Sequence, residues 1–440
     1  MNHRPDQDTL QRLQALVSDD ACHVSRRVFT SEAIYAWEKR FIFARSWLYL
    51  AHESQIPQVG DFVVAYMCET PVIVARGEDG GVHVSVNSCS HRGLPVCRAD
   101  RGNAKRFVCP YHNWSYTVEG LLHTIPQQKK LEAPVDKSCL GLKKIPRVAR
   151  YGGLLFGSFD ADIEPLENYL GDMRWYLDCM FDRYSSGVEV VGDPHKWRIS
   201  ANWKLPVENQ LGDVGHGPYL HGSLLKGTPQ VDELETYGLN VVPKGGHGLA
   251  LRLMPDNAAV EARMWGTDGM AHMNKEVHQY LVEKHREAEE RLGKIRARIK
   301  GLTYGVYPNF SFLWGNNTLR ISHPRGPGSI EYWSWWVVEK SAPDFIKRQL
   351  RDNYTFFFGP GGVLEQEDGE AWSEQYKGSA IDFMDDVPYY YGLGAGEETA
   401  HAEIPGLTGS CFNELYAREF YRRWRNDIAR GLAAEGASDA

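Results

Sequence analysis

Four residues of the 440-residue sequence have the types and spacing to hold a metal cluster: Cys89 and His91 as C-x-H, Cys109 and His112 as C-x-x-H. Each pair offers one thiolate and one imidazole, so two short loops supply the four terminal ligands of a [2Fe–2S] cluster. Replacing two thiolates on one iron by neutral imidazoles raises the reduction potential well above that of an all-cysteine ferredoxin. Such a cluster can take electrons from a ferredoxin. A Cys2His2 zinc site is the alternative, but zinc folds usually pair like ligands, whereas each loop here mixes the two.

A second constellation lies in NWKLPVENQLGDVGHGPYLHGS. His216 and His221 are too far apart in phase to share one face of an ideal helix, so both can bind one metal only if the helix is interrupted. Gly217 and Pro218 are the expected interruption. Two histidines and a carboxylate form the facial set of non-haem Fe(II) oxygenases, with positions left open for O2. A histidine pair alone is weak evidence, because most such pairs are surface or core residues, and the carboxylate must come from elsewhere. By residue type alone, Glu365, Glu367, Asp368 and Glu370 read as a solvated acidic face.

Two kinds of element must position these residues. From Asp61, short β-rich runs (DFVVAYM, PVIVAR, VHVSVN) are separated by turn residues such as Glu78-Asp79-Gly80-Gly81, as in a small antiparallel β domain. Before it, Thr30 to Leu50 opens with cap-type residues and sets Ile34, Trp37 and Phe41 on one helical face. After a boundary near Ile163, strands (LALRLM, SFLWG, TLRISHP, SIEYWSWWVVE) mix with helices, one over Asn274 to Lys300 and one capped by Ser341 with Pro343 in its first turn. The expected fold is α+β. It comprises an N-terminal helical segment (1–45) packing on the catalytic domain, a small antiparallel β domain for the cluster (46–162), and a catalytic domain (163–440) whose antiparallel sheet is covered by helices, helix-grip-like.

A net charge of -8 provides no basic stripe for nucleic acid or an anionic membrane. No stretch approaches the ~20 apolar residues of a membrane span, and the N-terminus lacks a signal-peptide pattern, so a soluble cytoplasmic protein is expected. Of eight cysteines, Cys22, Cys68, Cys139, Cys179 and Cys411 read as buried thiols, and Cys97 as a packing residue near the cluster loop. GLGAGE at 392–397 lacks G-x-G-x-x-G spacing, so no bound flavin or nicotinamide is expected.

C-x-H-R-G followed by C-P-Y-H-x-W-S-Y resembles both cluster loops of the Rieske family, with Asn113 where glycine is usual. From about Phe43 to FYRRWRNDI the chain resembles the α subunits of aromatic-ring-hydroxylating dioxygenases, most like the biphenyl and naphthalene type. In that family N-W-K leads to E-N, an Asp and two ligand histidines, matched here by Asn202-Trp203-Lys204, Glu208-Asn209, Asp213, His216 and His221. The third ligand follows a Gly-Pro-x-Gly turn, which implies Asp368 in preference to Glu367. Asp213 is implied to bridge His216 and His112 of a neighbouring subunit in a ring of three.

The resemblance also implies pocket positions Asn209, Gln210, Val214, Gly217, Leu313, Gly315, Asn316, Phe358 and Leu364. Gln210 stands where an aromatic is common, Asn316 where an apolar residue is, and Gly215 where Tyr usually precedes the first histidine. Buried amides need partners, so a polar-substituted aromatic substrate is expected. The implied activity is cis-dihydroxylation with O2, using one Rieske cluster, one mononuclear Fe(II), a ferredoxin and/or reductase as donors, and an α3 or α3β3 assembly with a small β subunit. A Rieske monooxygenase of the salicylate-hydroxylase or demethylase kind, and an electron carrier without oxygenase activity, stand as alternatives.

Overall fold

The β-branched runs form the strands Asp61–Met67, Thr70–Arg76 and Val82–Val86, buried or half-buried throughout, which pair antiparallel in sequence order, with Arg101–Asn103 on the outer edge of the first. Asp79-Gly80 closes the second hairpin: Gly80 sits at φ 75°, and Gly81 N–H donates to Asp79 Oδ1 at 2.8 Å. Two three-stranded antiparallel sheets complete this part, Arg147–Tyr151 with Leu154–Ser158 and Leu48–His52, and Arg106–Val108 with Ser115–Thr117 and Leu122–Thr124. Their core packs Phe62, Ile73, Phe107, Tyr116 and Leu142 around the buried Cys89 and Cys109.

The computed structural model describes residues 7–130, 136–226, 229–258, 275–314 and 317–436. They form two units: Phe43–Leu166, and the residues through Ile42 together with those from Glu167 onward. The second unit is built on a nine-stranded antiparallel sheet. Its spatial order is Val188–Ile199, Ile330–Glu339, Thr318–Pro324, Phe310–Leu313, Ile299–Val306, Gly248–Leu253, Gly238–Val242, Leu407–Ser410 and Thr399–Ala400. The helices that matter for the site are α1 (Lys204–Gln210), α2 (Gly217–Leu220), α3 (Asp344–Phe358), α4 (Val363–Ser379) and α5 (Leu415–Gly436).

Every residue of α1 is buried, and glycines let it lie close to the sheet. A Cβ at Gly305 would come within 2.4 Å of Leu211 Cδ2, and one at Gly248 within 2.6 Å of the Leu211 carbonyl. Side chains at these two sheet positions would push out the end of the helix that leads to His216.

Several sequence expectations change. The helix expected over Thr30 to Leu50 is α-helical only at Arg27–Thr30 and Glu32–Trp37, then a π-turn at Glu38–Ile42 and a 3-10 turn at Phe43–Arg45. Leu48–His52 is a strand, because this wholly buried run finds a partner in Leu154–Ser158. The helix expected to reach Lys300 ends at Leu292, where Gly293 turns left-handed at φ 82°, and Ile299 enters the sheet; Asn274 lies outside the described residues. Ser341 does not cap α3, because its hydroxyl donates to Glu339 Oε1 at 2.7 Å. Cys139 is exposed, while Cys22, Cys68, Cys179 and Cys411 are buried as expected.

Candidate metal centres

The two cysteine–histidine loops share one backbone design. Cys89 N–H donates to the Leu94 carbonyl and Cys89 O accepts from Gly93 N–H, at 2.9 and 2.8 Å. Cys109 repeats this with Trp114 and Asn113, at 2.8 and 3.0 Å. The fourth residue after each cysteine is left-handed, Gly93 at φ 77° and Asn113 at φ 57°. Asparagine is among the few side chains that tolerate this conformation, so Asn113 preserves the loop shape that glycine serves in the resembling family. The rings of His91 and His112 come within 4.6 Å of each other, and Trp114 stacks on His91 at 4.9 Å.

Tyr116 acts on the first loop. Its hydroxyl oxygen accepts from Ser90 N–H at 3.1 Å, which leaves the hydroxyl proton free for Cys89 Sγ, also 3.1 Å away. A hydrogen bond to a ligating sulfur favours the reduced cluster.

In the second unit His216 caps the start of α2, and His221 joins its end to the turn Gly222–Leu225. Gly217 and Pro218 therefore do not interrupt a helix; they begin one, as proline does well in a first turn. The break falls before them, between Gln210 and Gly217, and again at His221. The two rings turn their Nε2 atoms toward each other, 3.3 Å apart.

α4 brings Asp368 to this pair, with Oδ1 at 3.3 Å from both Nε2 atoms. Among the described residues, His216, His221 and Asp368 form a group of potential metal ligands whose donor atoms converge. Asp368 Oδ1 is buried and has no hydrogen-bond partner. Burial opposes ionisation of Asp368, yet the two histidines outweigh it and hold its pKa down at about 2. Burial likewise opposes a charged His216, but Asp213 and Asp368 lift its pKa to about 10. A triangle of three donors that electrostatically demands positive charge at its centre fits a divalent cation held by a facial 2-His-1-carboxylate set.

The acidic run around Asp368 is a solvated face only in part: Glu370 is exposed and Glu367 half-buried, but the other two turn inward. Glu365 and Asp368 are 1% and 3% exposed. Glu365 pairs with the buried Arg320 at 2.7 Å, and burial raises its carboxyl to about 7 against the pull of that arginine. Glu367 Oε2 lies 2.7 Å from His221 Nδ1, and its other oxygen accepts from Ser223 Oγ at 3.3 Å. Asp213 Oδ2 faces His216 Nδ1 at 3.5 Å.

The N-W-K motif is an anchor. Asn202 Oδ1 accepts from Lys204 N–H at 3.1 Å, and its amide donates to the Phe29 and Pro327 carbonyls, both at 2.8 Å. Trp203 Nε1 and Trp424 Nε1 donate to the carboxylate of Glu38 at 2.7 and 2.9 Å, and Lys204 Nζ forms an ion pair with it. Sequence reading missed Glu38. The only signal was the buried lysine's need for a counter-charge, and the partner is 166 residues away.

Glu208, also buried, accepts from the Tyr391 hydroxyl at 3.0 Å and from Tyr421, and burial raises its pKa to about 8. It borders a cavity of about 520 Å³ with Asp213, Gly215, Tyr391, Phe412 and Glu414. A Cβ at Gly215 would lie 3.2 Å from Phe412, so a side chain there and Phe412 compete for the same space. None of the expected pocket residues among the described residues lines this cavity, which adjoins the Asp213 side of His216.

Of those pocket residues, Asn209, Gln210, Gly217, Leu313 and Leu364 are buried, and Val214 and Phe358 half-buried. Gly315 and Asn316 lie outside the described residues. Gln210 Nε2 donates to Asn209 Oδ1 at 3.1 Å, while Gln210 Oε1 is buried without a partner.

Residues 46–145 match the model of the Rieske [2Fe-2S] domain, and 166–429 that of the ring hydroxylating alpha subunit (catalytic domain). The chain is 36% identical to the biphenyl dioxygenase subunit alpha of Metapseudomonas furukawaii over 439 residues, covering 94% of this chain and 93% of the relative. It is 36% identical to the benzene 1,2-dioxygenase subunit alpha of Pseudomonas putida over 426 residues, covering 94% and 92%. Among solved structures, naphthalene 1,2-dioxygenase from Rhodococcus sp. bound to indole superposes with a TM-score of 0.84 at 33% identity, over 96% of this chain and 98% of that one.

Proposed function

The chain belongs to the family of ring-hydroxylating dioxygenase α subunits, and from that membership we propose the following assignment of its chemistry. It is a terminal oxygenase that uses O2 and electrons relayed through a Rieske [2Fe–2S] cluster to cis-dihydroxylate an aromatic ring. The observation that carries the assignment is the convergence of His216, His221 and Asp368 on one point, in a chain whose other unit carries two matched cysteine–histidine loops. Cys89, His91, Cys109 and His112 hold the cluster; His216, His221 and Asp368 hold the iron. When bound, the cluster supplies single electrons and the iron supplies the site of oxygen activation.

The protein's own residues exclude water, orient ligands and connect the centres. α1 and α4 bury the ligand carboxylate, Glu367 orients His221, and Asp213 receives the free edge of His216. Asp213 meets His216 on one side and borders the cavity on the other, which supports a bridge from His216 to His112 of a neighbouring subunit. The working form is then an α3 ring, or α3β3 with a small β subunit, fed by a ferredoxin and/or reductase. No helix among the described residues is long and apolar enough to cross a membrane. None of the eight cysteines, all among the described residues, is in a disulfide, which suits a reducing cytoplasm.

The buried, unpartnered Gln210 Oε1 supports a ring that carries a hydrogen-bond donor such as a hydroxyl, because an unmet buried acceptor costs free energy. Anaerobic reduction followed by electron paramagnetic resonance, with iron and sulfide counts, tests the cofactor assignment. Incubation of the reconstituted system with labelled O2 and biphenyl, naphthalene and their hydroxylated analogues tests the reaction. Two labelled oxygens in a cis-diol are expected; a single labelled oxygen makes the chain a monooxygenase, and absence of a Rieske signal overturns the whole assignment.

A further inference from the structure

The two ligand imidazoles are held from behind by carboxylates of different reach, and the difference is specific. His221 is nearly enclosed, with its side chain 6% exposed, and its Nδ1 lies 2.7 Å from Glu367 Oε2. The second oxygen of Glu367 accepts from Ser223 Oγ, on the short turn that His221 itself begins. His216 is looser: its side chain is 23% exposed and its Nδ1 is 3.5 Å from Asp213, at the limit of hydrogen bonding.

Glu367 cannot share the ion with Asp368. Asp368 faces the Nε2 edges of both rings, whereas Glu367 sits on the Nδ1 edge of His221, across the ring from the convergence point. An acceptor on Nδ1 fixes the proton there, leaves the Nε2 lone pair for the metal and locks the plane of the ring.

We propose that Glu367 is a positioning residue that, with Ser223, clamps His221 as the fixed half of the mononuclear metal site, while His216 on its looser Asp213 contact is the adjustable half. This deepens the assignment of His216, His221 and Asp368 as iron ligands and rests on it. A carboxylate behind a metal-binding imidazole raises the basicity of that ligand and removes its rotational freedom before the ion arrives. Losing such a partner typically costs ~10–100-fold in metal affinity. The asymmetry adds a ranking: the same truncation at Asp213 costs less affinity, because that contact is longer and His216 Nδ1 makes no hydrogen bond to it.

The test measures Fe(II) affinity at the mononuclear site in the full-length protein, by anaerobic competition with a chelator, while the cooperative thermal unfolding transition of the same samples reports that the unit carrying His221 and Glu367 is folded. Glu367→Ala is expected to weaken Fe(II) binding ~10–100-fold. Glu367→Gln, which keeps an acceptor but not the charge, should fall between Glu367→Ala and wild type, and Asp213→Ala should lose less than Glu367→Ala. Affinity within twofold of wild type for both Glu367 variants, or a greater loss for Asp213→Ala than for Glu367→Ala, overturns the proposal. Should Glu367→Ala lose that unfolding transition, Glu367→Gln decides alone: more than twofold weakening supports the clamp, and less overturns it. His221→Ala separates the two layers of the argument, since wild-type Fe(II) affinity in that variant means the ligand assignment itself has failed.

Discussion

The side chains around each metal position do unequal work, and substitutions should sort by which atom they leave without a partner. Tyr116→Phe removes a hydrogen bond from Cys89 Sγ and leaves the ring in place. A bond of ~1 kcal/mol corresponds to about 40 mV for a one-electron couple, so the cluster potential should fall by that order in protein-film voltammetry, with the metal content unchanged. Asp213→Ala should leave the [2Fe–2S] cluster and the mononuclear iron bound but reduce coupled turnover by ~100-fold or more. Iron counts and product yield from the same preparation check this, and normal hydroxylation would remove Asp213 from the electron path. At Gln210 the expectation concerns specificity: Gln210→Phe should lower kcat/KM for a hydroxylated ring relative to the parent hydrocarbon by roughly 5–100-fold, the worth of an unmet buried hydrogen bond. Equal turnover of both ring types by wild type and variant would rule out that contact.

At the scale of elements, α1 acts as the mount for the segment that carries His216 and His221, and it is fastened at both ends. Leu211 is pressed onto Gly305 and Gly248, and the N-W-K end is tied through Glu38 to the N-terminal segment and to α5. Glu38→Ala would leave Lys204 charged and fully enclosed without its counter-charge, which typically costs ~3–5 kcal/mol. Urea unfolding should show a drop of that order, together with weaker iron retention because the mount itself loosens. N-W-K and the Gly-Pro-Gly-Gly turn singled out the α1 and α4 segments only through the family resemblance; patterning alone placed no helix at α4. It misjudged the helix at Thr30 to Leu50, because apolar runs such as Leu48–His52 read equally well as helix or strand until a partner strand is identified. It misjudged Gly217 and Pro218 for a similar reason: both residues break a helix in its interior and begin one in its first turn.

For the whole molecule, the buried Glu208 makes stability depend on pH, with a definite sign. Its carboxyl is raised from 4.5 to about 8 in the fold, so its contribution is complete below pH 4.5 and is lost as pH rises through 8, while the unfolded chain ionises freely. Glu208→Gln has no proton to lose and should gain in Tm relative to wild type as pH rises from 5 to 8. The difference is bounded by about 1.4 kcal/mol per pH unit; parallel Tm profiles would mean that the carboxyl is not held protonated. The chain order alone carried the chemistry that depends on local spacing, Cys89 with His91 and Cys109 with His112, since each loop is closed by its own backbone; that Asn113 takes the left-handed turn emerged only from the structure. The chain order also supported the α+β organisation, because alternating strands and capped helices are local patterns. What only the tertiary structure decided is pairing over distance. Glu367, which the resemblance passes over, backs His221 at its Nδ1 edge, and Glu38 neutralises Lys204. Adjacent carboxylates on one helix point in different directions: residue type gives no hint of this, the family resemblance implies only Asp368, and what each one touches follows from how α4 is set against the histidine turn.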